Sequence, residues 1–209
     1  TPNPPPEVRA AVLQWVDLGC RHTLFDNRAA RSFIRRAFGP SEAMLFDQLW
    51  HPALRSDLFR LFFLVAEGGT YIDADTVPAR HAREGLTCPG GVLAAISNTR
   101  RPNCAVTNGI LSAPPEDPTV KAFLARVLDT VRQRPGLGIF WLGGPSALTS
   151  FLYNTGAPVA LRSAGIARLT LGRQINAPYK KTGRNWRIFE KRQGLTDDAG
   201  LALACNGSI

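Results

Sequence analysis

The sequence predicts an α/β fold, with helices and strands alternating along one domain that covers residues 1–209. Two observations support this class. Segments in which apolar residues recur at helical spacing are separated by short stretches rich in β-branched and aromatic residues, which are typical of strands. One strongly apolar segment, residues 58–65, leads through two glycines into a short strand that precedes Asp73 and Asp75. Alternation of this kind is typical of helices packed against a sheet.

The first third of the chain is predicted to contain three helices and one strand. Residues 6–16 form a helix that begins at a proline, which is favoured in a first turn. Residues 22–25 are strand-like. Asn27 is expected to cap a second helix over residues 27–38, and a shorter helix follows over residues 44–49. The residues expected to face the core are Val8, Ala11, Val12 and Trp15 in the first helix and Phe33, Ile34 and Ala37 in the second.

The central segment is predicted to be a buried helix followed by a short inner strand. Ser56 or Asp57 can cap the start of this helix. Residues 58–65 are apolar nearly all round, which is typical of a helix buried on every side. The glycine pair that follows can adopt the left-handed conformation that ends a helix, and residues 70–72 have the composition of a strand.

Asp73 and Asp75 carry the main chemical signal. Side chains two apart in a strand point to the same face, so we expect these carboxylates to lie side by side at the strand end. A divalent cation would relieve their repulsion, and hard oxygen ligands suit Mg²⁺ or Mn²⁺ that carries phosphate oxygens. The predicted ligand is a metal-bound phosphate ester. A polar strand end that meets water is the alternative, and Val77 and Pro78 disfavour a calcium loop.

Arg60 is the only charged residue within the apolar part of the central helix. Burying a guanidinium is costly unless the group is paired. Asp57 lies three residues earlier on the same helix face and is the expected partner. A purely structural ion pair and a ligand-binding role for Arg60 both fit this pattern.

The second half of the chain continues the alternation. Residues 92–96 and 106–111 are strand-like, and a strongly periodic helix is predicted over residues 118–131. Glycines within residues 136–144 mark either a flexible loop that covers a ligand or a plain turn. Signals for both helices and strands weaken from Thr155 onward.

The net charge of +9 suits anionic ligands or surfaces without identifying them. Basic residues concentrate near the C-terminus, where Tyr179 and Trp186 lie between them. An ordinary solvated face, a contact with nucleotide phosphates and a contact with an anionic membrane surface are all compatible with this segment, whereas no nucleic-acid-binding motif is present. The basic residues of the segment are Lys180, Lys181, Arg184, Arg187, Lys191 and Arg192.

The cysteines are widely spaced and include no C-x-x-C pair, which argues against a structural zinc site. They are interpreted as small core residues in a reducing compartment. No apolar stretch reaches membrane-spanning length and no signal peptide is recognisable. We therefore expect a cytoplasmic protein whose contact with a membrane, if any, is peripheral. The cysteines are Cys20, Cys88, Cys104 and Cys205.

Two stretches together resemble a known family. Residues 53–60 read ALRSDLFR, and residues 68–75 read GGTYIDAD. This order is similar to the R-S-D-x-x-R helix and G-G-x-Y-x-D-x-D motif of glycosyltransferase family 32, which includes fungal mannosyltransferases and bacterial polysaccharide transferases. Two weaker similarities follow in the same order, T-N-G-I at residues 107–110 and G-G-P at residues 143–145. The resemblance implies a GT-A-like (Rossmann-like) fold, a mixed sheet flanked by helices.

The resemblance also implies roles for individual residues. In such enzymes the two aspartates of the motif hold a metal, Mn²⁺ or Mg²⁺, and contact the nucleotide, which places these catalytic roles on Asp73 and Asp75. The aspartate and arginine of the preceding helix reach the donor sugar and its phosphate and correspond to Asp57 and Arg60. In the tail, Ser208 is the candidate for a further metal ligand, with Asn206 as the alternative. The other donor-binding candidates are Arg55, Tyr71 and Asn108.

The reaction implied by the resemblance is transfer of a sugar from a nucleoside diphosphate sugar to a hydroxyl of a saccharide or glycoconjugate acceptor. Relatives retain the anomeric configuration, and polysaccharide or glycoconjugate synthesis is the expected setting. Two departures from the family pattern are compatible with either a catalytic domain truncated at both ends or an enzyme of weakened activity. The first nucleotide-binding strand of the family would lie before Thr1, and the tail lacks the family's G-S-W sequence.

Two other functions fit parts of the sequence. Residues 73–77 also resemble the motif of haloacid dehalogenase-type phosphatases, in which Asp73 would be the phosphoryl nucleophile. That motif usually lies early in a chain, and it does not explain the R-S-D-x-x-R helix. A non-catalytic domain that binds nucleotide sugars or an anionic surface is the third possibility.

Overall fold

The computed structural model describes residues 4–18, 22–86, 93–98, 105–133, 137–163, 170–182 and 188. These residues form helices, a four-stranded mixed sheet and a two-stranded sheet. The predicted α/β class, a mixed sheet flanked by helices, is confirmed. The helices of the described residues are α1 (Pro6–Asp17), α2 (Asn27–Phe38), α3 (Pro40–Gln48), α4 (Pro52–Glu67), α5 (Ala82–Gly85), α6 (Pro118–Gln133), α7 (Ile139–Leu142) and α8 (Pro145–Thr155), with a 3-10 turn at Pro178–Lys181.

The larger sheet combines antiparallel and parallel pairs. Its strand order is β1-β4-β3-β5, in which β4 runs antiparallel to both of its neighbours and β3 runs parallel to β5. The smaller sheet pairs β2 with β6 in antiparallel orientation. The strands are β1 (Gly69–Ile72), β2 (Thr76–Pro78), β3 (Leu93–Asn98), β4 (Ala105–Ala113), β5 (Val159–Ser163) and β6 (Gly172–Gln174).

Helix α4 lies at the centre of the hydrophobic core, as its composition predicts. It packs against α2, α6, α7 and the sheet, so nearly every face of the helix meets another element. Leu58, Phe62 and Leu64 have no exposed surface at all. Full burial of a side chain of this size contributes about 1.5–3 kcal/mol, so this helix supplies much of the apolar stabilisation.

Helix α4 begins one turn earlier than expected. Its cap is His51, whose Nδ1 accepts a hydrogen bond of 3.1 Å from the backbone N–H of Ala53. The predicted caps, Ser56 and Asp57, lie inside the helix instead. Pro52 occupies the first helical position, where its fixed φ angle and missing N–H are tolerated.

Two earlier helices also differ from prediction at their starts. The cap of α2 is Asp26 and not Asn27, because Oδ1 of Asp26 accepts a hydrogen bond of 2.8 Å from the N–H of Ala29. Helix α3 starts at Pro40, four residues before the predicted position. Of the residues expected to face inward, Val12 is half-buried and Ala37 is exposed, whereas the others are buried.

The strand predicted over residues 22–25 is absent from the structure, where this stretch has no regular conformation. Phe25 packs its ring against three aromatic side chains of α2 and α4, with ring centroids 4.8–5.9 Å apart. Phe25, one of the residues that suggested a strand, therefore packs against helices instead. The aromatic partners of Phe25 are Phe33, Phe59 and Phe63.

The predicted strands at residues 92–96 and 106–111 are confirmed as β3 and β4, and the periodic helix is confirmed as α6. The strand predicted over residues 70–72 is confirmed as β1, but the expectation that it is an inner strand is wrong, because among the described strands β1 lies at the edge of the sheet and its residues are exposed or half-buried. Strands β5 and β6 lie in the region where sequence signals are weak. Among the described residues, no helix is both long enough and apolar enough to cross a membrane.

We expect Gly68→Ala to destabilise the protein by at least about 2 kcal/mol. Gly68 ends α4 with φ +64° and ψ −156°, a region that only glycine adopts readily. A Cβ at this position would also lie 2.6 Å from Cδ of Pro115. Urea denaturation measures the change.

Gly156→Ala is the matched control for this prediction. Gly156 ends α8 with φ +59° and ψ +21°, and a Cβ there meets no atom within 4 Å. The left-handed conformation alone costs about 1 kcal/mol. Equal losses for the two variants would contradict the steric part of the explanation.

Candidate active site

The carboxylates of Asp73 and Asp75 lie in a turn between β1 and β2, at the end of the larger sheet. The N–H of Asp73 donates to the carbonyl of Gly109 at 2.8 Å, which extends the β1–β4 ladder by one bond. The N–H of Thr76 then donates to the carbonyl of Asp73 at 2.9 Å and closes the turn. The expectation that both aspartates share one face of a strand is therefore wrong. Aspartate favours turns because its side chain is poorly accommodated in strands.

Asp73 is held from three directions. Its Oδ1 accepts a hydrogen bond of 3.0 Å from the hydroxyl of Tyr71 and lies 3.4 Å from Nη2 of Arg60. Its Oδ2 accepts a hydrogen bond of 3.1 Å from Nε2 of Gln174 in β6. The side chain keeps 24% of its surface exposed, so the carboxylate is oriented by the protein and still reaches solvent.

Asp75 is the more buried of the two aspartates, with 11% of its side-chain surface exposed. Its Oδ2 lies 2.6 Å from Nζ of Lys180. Its backbone carbonyl accepts a hydrogen bond of 2.8 Å from the N–H of Ile175, which directly follows β6. Both contacts come from the segment after residue 170, so the distant end of the described chain closes over the turn.

Arg60 projects from α4 beneath the turn and is buried, with 4% of its side-chain surface exposed. Its Nη2 pairs with Oδ1 of Asp57 at 2.6 Å, and its Nη1 donates to the backbone carbonyl of Asn108 in β4. Its Nε donates to the carbonyl of Ser56 at 3.2 Å. With the contact to Asp73, the guanidinium joins α4, β4 and the carboxylate turn.

Tyr71 completes the support of Asp73. Its ring lies under the guanidinium of Arg60, with 4.5 Å between Cζ of Arg60 and the ring centroid. Its hydroxyl is 2.7 Å from Oγ of Ser56, so a chain of hydrogen bonds runs from α4 through Tyr71 to Asp73. Such a chain restricts the rotamers of all three side chains.

Asp57 and Asn108 form a buried pair behind Arg60. Nδ2 of Asn108 donates to Oδ1 of Asp57 at 2.9 Å, and each residue is 6% exposed. Nδ2 of Asn108 also lies 3.4 Å from the carbonyl of Gly143, in the glycine pair before α8. The two weaker family similarities in the sequence thus converge on the R-S-D-x-x-R helix.

The electrostatics of the site follow from burial. Burial raises the pKa of Asp57 to about 6, although Arg60 beside it acts in the opposite direction. Burial likewise raises the pKa of Asp73, opposed by Arg60 and reinforced by the charge of Asp75. Burial alone would lower the pKa of Arg60, but Tyr71 and the two aspartates raise it overall, so Arg60 stays charged. The site therefore holds closely spaced negative charges in a region poor in water.

Not every predicted site residue joins this cluster. Arg55 turns toward the end of α3, where its Nε donates to the carbonyl of Leu49 at 2.8 Å and its Nη2 to the carbonyl of Asp47 at 3.1 Å. Ser208 lies outside the described residues, as do the cysteines and all but Lys180 and Lys181 of the basic C-terminal residues. The structural roles expected for these undescribed residues therefore remain predictions.

Sequence reasoning predicted no contact with the aspartates for three residues of the cluster, although it included Lys180 in the basic segment that could meet nucleotide phosphates. Gln174 and Lys180 contact the aspartates from about one hundred positions away along the chain, so no local pattern could reveal them. Gly109 lies so close to the turn that a Cβ there would be 2.8 Å from Oδ2 of Asp73. The glycine of the T-N-G-I similarity was the available signal for this position.

The donor set fits a divalent cation. Asp73 and Asp75 supply hard carboxylate oxygens, and the charge of Asp75 raises the pKa of Asp73, a repulsion that a cation would remove. Within the described part of the chain, no cluster of three or more His, Cys, Asp or Glu side chains could hold a metal.

A known family model covers part of this site. Residues 19–88 match the family model described as "Glycosyltransferase sugar-binding region containing DXD motif". This part of the chain is similar to the sugar-binding region of DXD glycosyltransferases. It contains α4, β1 and the carboxylate turn, whereas Asn108, Gln174 and Lys180 are contributed from outside it.

A curated relative and two solved structures are similar to parts of this chain. The initiation-specific alpha-1,6-mannosyltransferase of Schizosaccharomyces pombe is 27% identical over 128 residues, which cover 57% of this chain and 30% of that protein. The chain thus spans less than a third of this relative. The PaToxG glycosyltransferase has 20% identity and a TM-score of 0.41, covering 77% of this chain and 56% of that one. The glycosyltransferase domain of the YGT toxin has 10% identity and a TM-score of 0.43, covering 83% and 58%.

We expect Arg60→Met to destabilise the protein by about 3–5 kcal/mol, because it leaves Asp57 and Asp73 without their buried positive charge. Adding Asp57→Asn should recover part of this loss, since the double variant buries one carboxylate fewer. Urea denaturation of both variants measures the effect.

Arg31→Met is the matched control, because it removes an ion pair with Asp47 in which both side chains are more than 40% exposed. Such a pair contributes at most about 1 kcal/mol. A loss for Arg60→Met as small as that of the control would contradict the supporting role of Arg60.

Gly109→Ala should weaken Mn²⁺ binding by about tenfold while the fold stays intact, because the new methyl group would lie 2.8 Å from Oδ2 of Asp73 and would push that carboxylate out of position without meeting backbone atoms. The free Mn²⁺ signal in electron paramagnetic resonance measures the affinity, and thermal unfolding checks the fold. Gly156→Ala is the glycine control away from the site and should bind Mn²⁺ like the wild type. Unchanged binding by Gly109→Ala would show that the position of Asp73 is not critical.

Proposed function

We propose that the chain transfers a sugar from a nucleoside diphosphate sugar to an acceptor hydroxyl, with Mn²⁺ or Mg²⁺ bound by Asp73 and Asp75. The observation that carries the proposal is the carboxylate turn, which lies within the family-matched segment and in which Asp73 is held by Arg60 and Tyr71 while 24% of its side-chain surface stays exposed. Two carboxylates in one turn suit a metal-bound diphosphate.

The chemical demand of this reaction is charge stabilisation. Departure of the leaving group places negative charge on the diphosphate, and a divalent cation held at Asp73 and Asp75 would supply positive charge beside it. The protein has to keep the two carboxylates fixed and ionised. Arg60 does so for Asp73, since a buried positive charge at 3.4 Å opposes protonation of the carboxylate.

In this proposal, Asp57, Arg60 and Asn108 act mainly by supporting the carboxylate turn. Their polar atoms bond to one another and to the backbone in a buried layer. A rigid buried layer limits the motion of Asp73, and misplacement of a metal ligand is costly for both affinity and rate. Direct contacts of Asp57, Arg60 and Asn108 with the donor remain predictions. The same holds for donor contacts of Arg55 and Tyr71.

The substrates are proposed from the comparisons and the resemblance. The relative from Schizosaccharomyces pombe is named as a mannosyltransferase, so mannose is the first donor sugar to test. Retention of configuration is the outcome that the resemblance implies. A saccharide or glycoconjugate acceptor follows from the same reasoning. A cytoplasmic location, with peripheral membrane contact through the basic C-terminal segment, stays a prediction.

The phosphatase alternative is less well supported. It requires Asp73 as a nucleophile, whereas the family match covers the whole helix-turn-strand unit around this residue. Trapping with beryllium fluoride distinguishes the two: stable trapping at Asp73 would favour a phosphatase, and sugar transfer or donor hydrolysis with Mn²⁺ would favour the transferase.

Asp75→Asn should abolish Mn²⁺-dependent binding and hydrolysis of the donor, because an amide is a far weaker ligand for a hard cation than a carboxylate. A thermal-shift screen of UDP- and GDP-sugars with Mn²⁺ first identifies the donor, and calorimetry then measures its binding. Asp129→Asn is the control, because Asp129 is 68% exposed on α6. Equal donor binding by wild type and Asp75→Asn would refute the metal assignment.

A further inference from the structure

The segment from β6 through the 3-10 turn encloses the two aspartates. Gln174 donates to Asp73, Ile175 donates to the backbone of Asp75, and Lys180 forms an ion pair with the side chain of Asp75. Pairing of β6 with β2 anchors the segment directly after the turn. These three contacts therefore hold the segment against Asp73 and Asp75, the two residues that the proposed function assigns to cation binding.

Lys180 occupies a position that a cation would need. Its Nζ lies 2.6 Å from Oδ2 of Asp75 and donates to the carbonyl of Ile175 at 2.9 Å. Its side chain is 26% exposed, so the ammonium is partly withdrawn from water. A partly buried ammonium requires an anionic or carbonyl partner, and Asp75 is the anionic one.

The charges of the cluster show that the ammonium of Lys180 and a divalent cation would repel each other if both were bound to Asp75. Three carboxylates, Asp57, Asp73 and Asp75, face two positive groups, Arg60 and Lys180. The formal sum is −1. A divalent cation would change this sum to +1 with Lys180 in place, and to 0 with Lys180 removed. At separations near 4 Å, repulsion between the ammonium and a divalent cation is large at any plausible dielectric constant.

We propose that Lys180 exchanges partners during donor binding. Without a cation its ammonium neutralises Asp75. When a divalent cation takes Asp75, the ammonium is released and binds the diphosphate oxygens that the cation carries. This inference rests on the proposed function. It adds a diphosphate-binding residue outside the family-matched segment, which ends at residue 88.

Arg60 and Lys180 differ in how freely their side chains can move. Arg60 is buried and its contacts hold it in place, so it cannot follow a substrate. Lys180 has a flexible stem, and 26% of its side-chain surface is exposed. An ammonium moves between anionic partners readily because it is a compact point charge with rotatable donors.

The test compares Lys180→Met with Lys181→Met. Both variants lose one positive charge, but Lys181 is exposed at the end of the 3-10 turn. Mn²⁺ alone is the first probe, measured by the free-ion signal in electron paramagnetic resonance. We expect Lys180→Met to bind Mn²⁺ about tenfold more tightly than the wild type, because its competitor is gone, and Lys181→Met to be unchanged.

Inorganic pyrophosphate with saturating Mn²⁺ is the second probe, measured by calorimetry. We expect Lys180→Met to bind it about tenfold more weakly, because a charge-assisted contact to a phosphate oxygen is lost. Opposite effects on the two probes are the signature of the exchange. Unchanged Mn²⁺ affinity would overturn it, and so would tighter Mn²⁺ binding without loss of pyrophosphate affinity. Lys180→Gln repeats both measurements if Lys180→Met unfolds.

Asp75→Asn separates this inference from the proposed function. If Asp75→Asn loses Mn²⁺ binding but Lys180→Met does not gain it, the exchange is wrong and the metal site stands. If Asp75→Asn binds Mn²⁺ like the wild type, or if neither wild type nor Lys180→Met binds Mn²⁺, the metal assignment fails and the exchange fails with it.

Discussion

The site depends on one buried positive charge. Arg60 lies inside an apolar helix, where an unpaired guanidinium would be severely destabilising. Its partners come from three places: Asp57 in the same helix, the backbone of Asn108 in β4, and Asp73 in the carboxylate turn. Satisfying this one group therefore fixes the helix, the strand and the turn relative to one another. The position of the carboxylate turn is therefore a consequence of how the buried Arg60 is paired.

The two aspartates differ in what holds them. Asp73 is supported from beneath, by Tyr71 and Arg60, whose own positions are fixed by burial. Asp75 is held from above by Lys180, which reaches solvent and belongs to a segment beyond the family-matched region. A rigid carboxylate next to one with an exchangeable partner suits a site that must bind a charged ligand and release it. In this proposal Arg60 supports Asp73, and Lys180 competes with the cation for Asp75.

The accuracy of the sequence-based predictions follows the range of the interactions involved. Helix α6 was predicted nearly to its ends because apolar periodicity is a local property. The start of α4 at Pro52 was placed too late because Ser56 and Asp57, which lie within the helix, were taken for caps, and the start of α3 at Pro40 was also placed too late. Residues 22–25 were predicted as a strand, whereas Phe25 packs among aromatic side chains that only the folded chain brings together. The aspartates were identified correctly as a pair, but their turn conformation was not.

Taken alone, the sequence determined the α/β class, the buried character of α4, the need of Arg60 for a partner and the chemical type of the site, because each depends on residue identity over short spacing. The tertiary structure decided which groups meet. It brought Asn108 to Asp57, placed Gly109 against Asp73, and set Lys180 on Asp75. Contacts between residues so far apart in the chain arise from strand pairing and core packing, and no local pattern of residues encodes them.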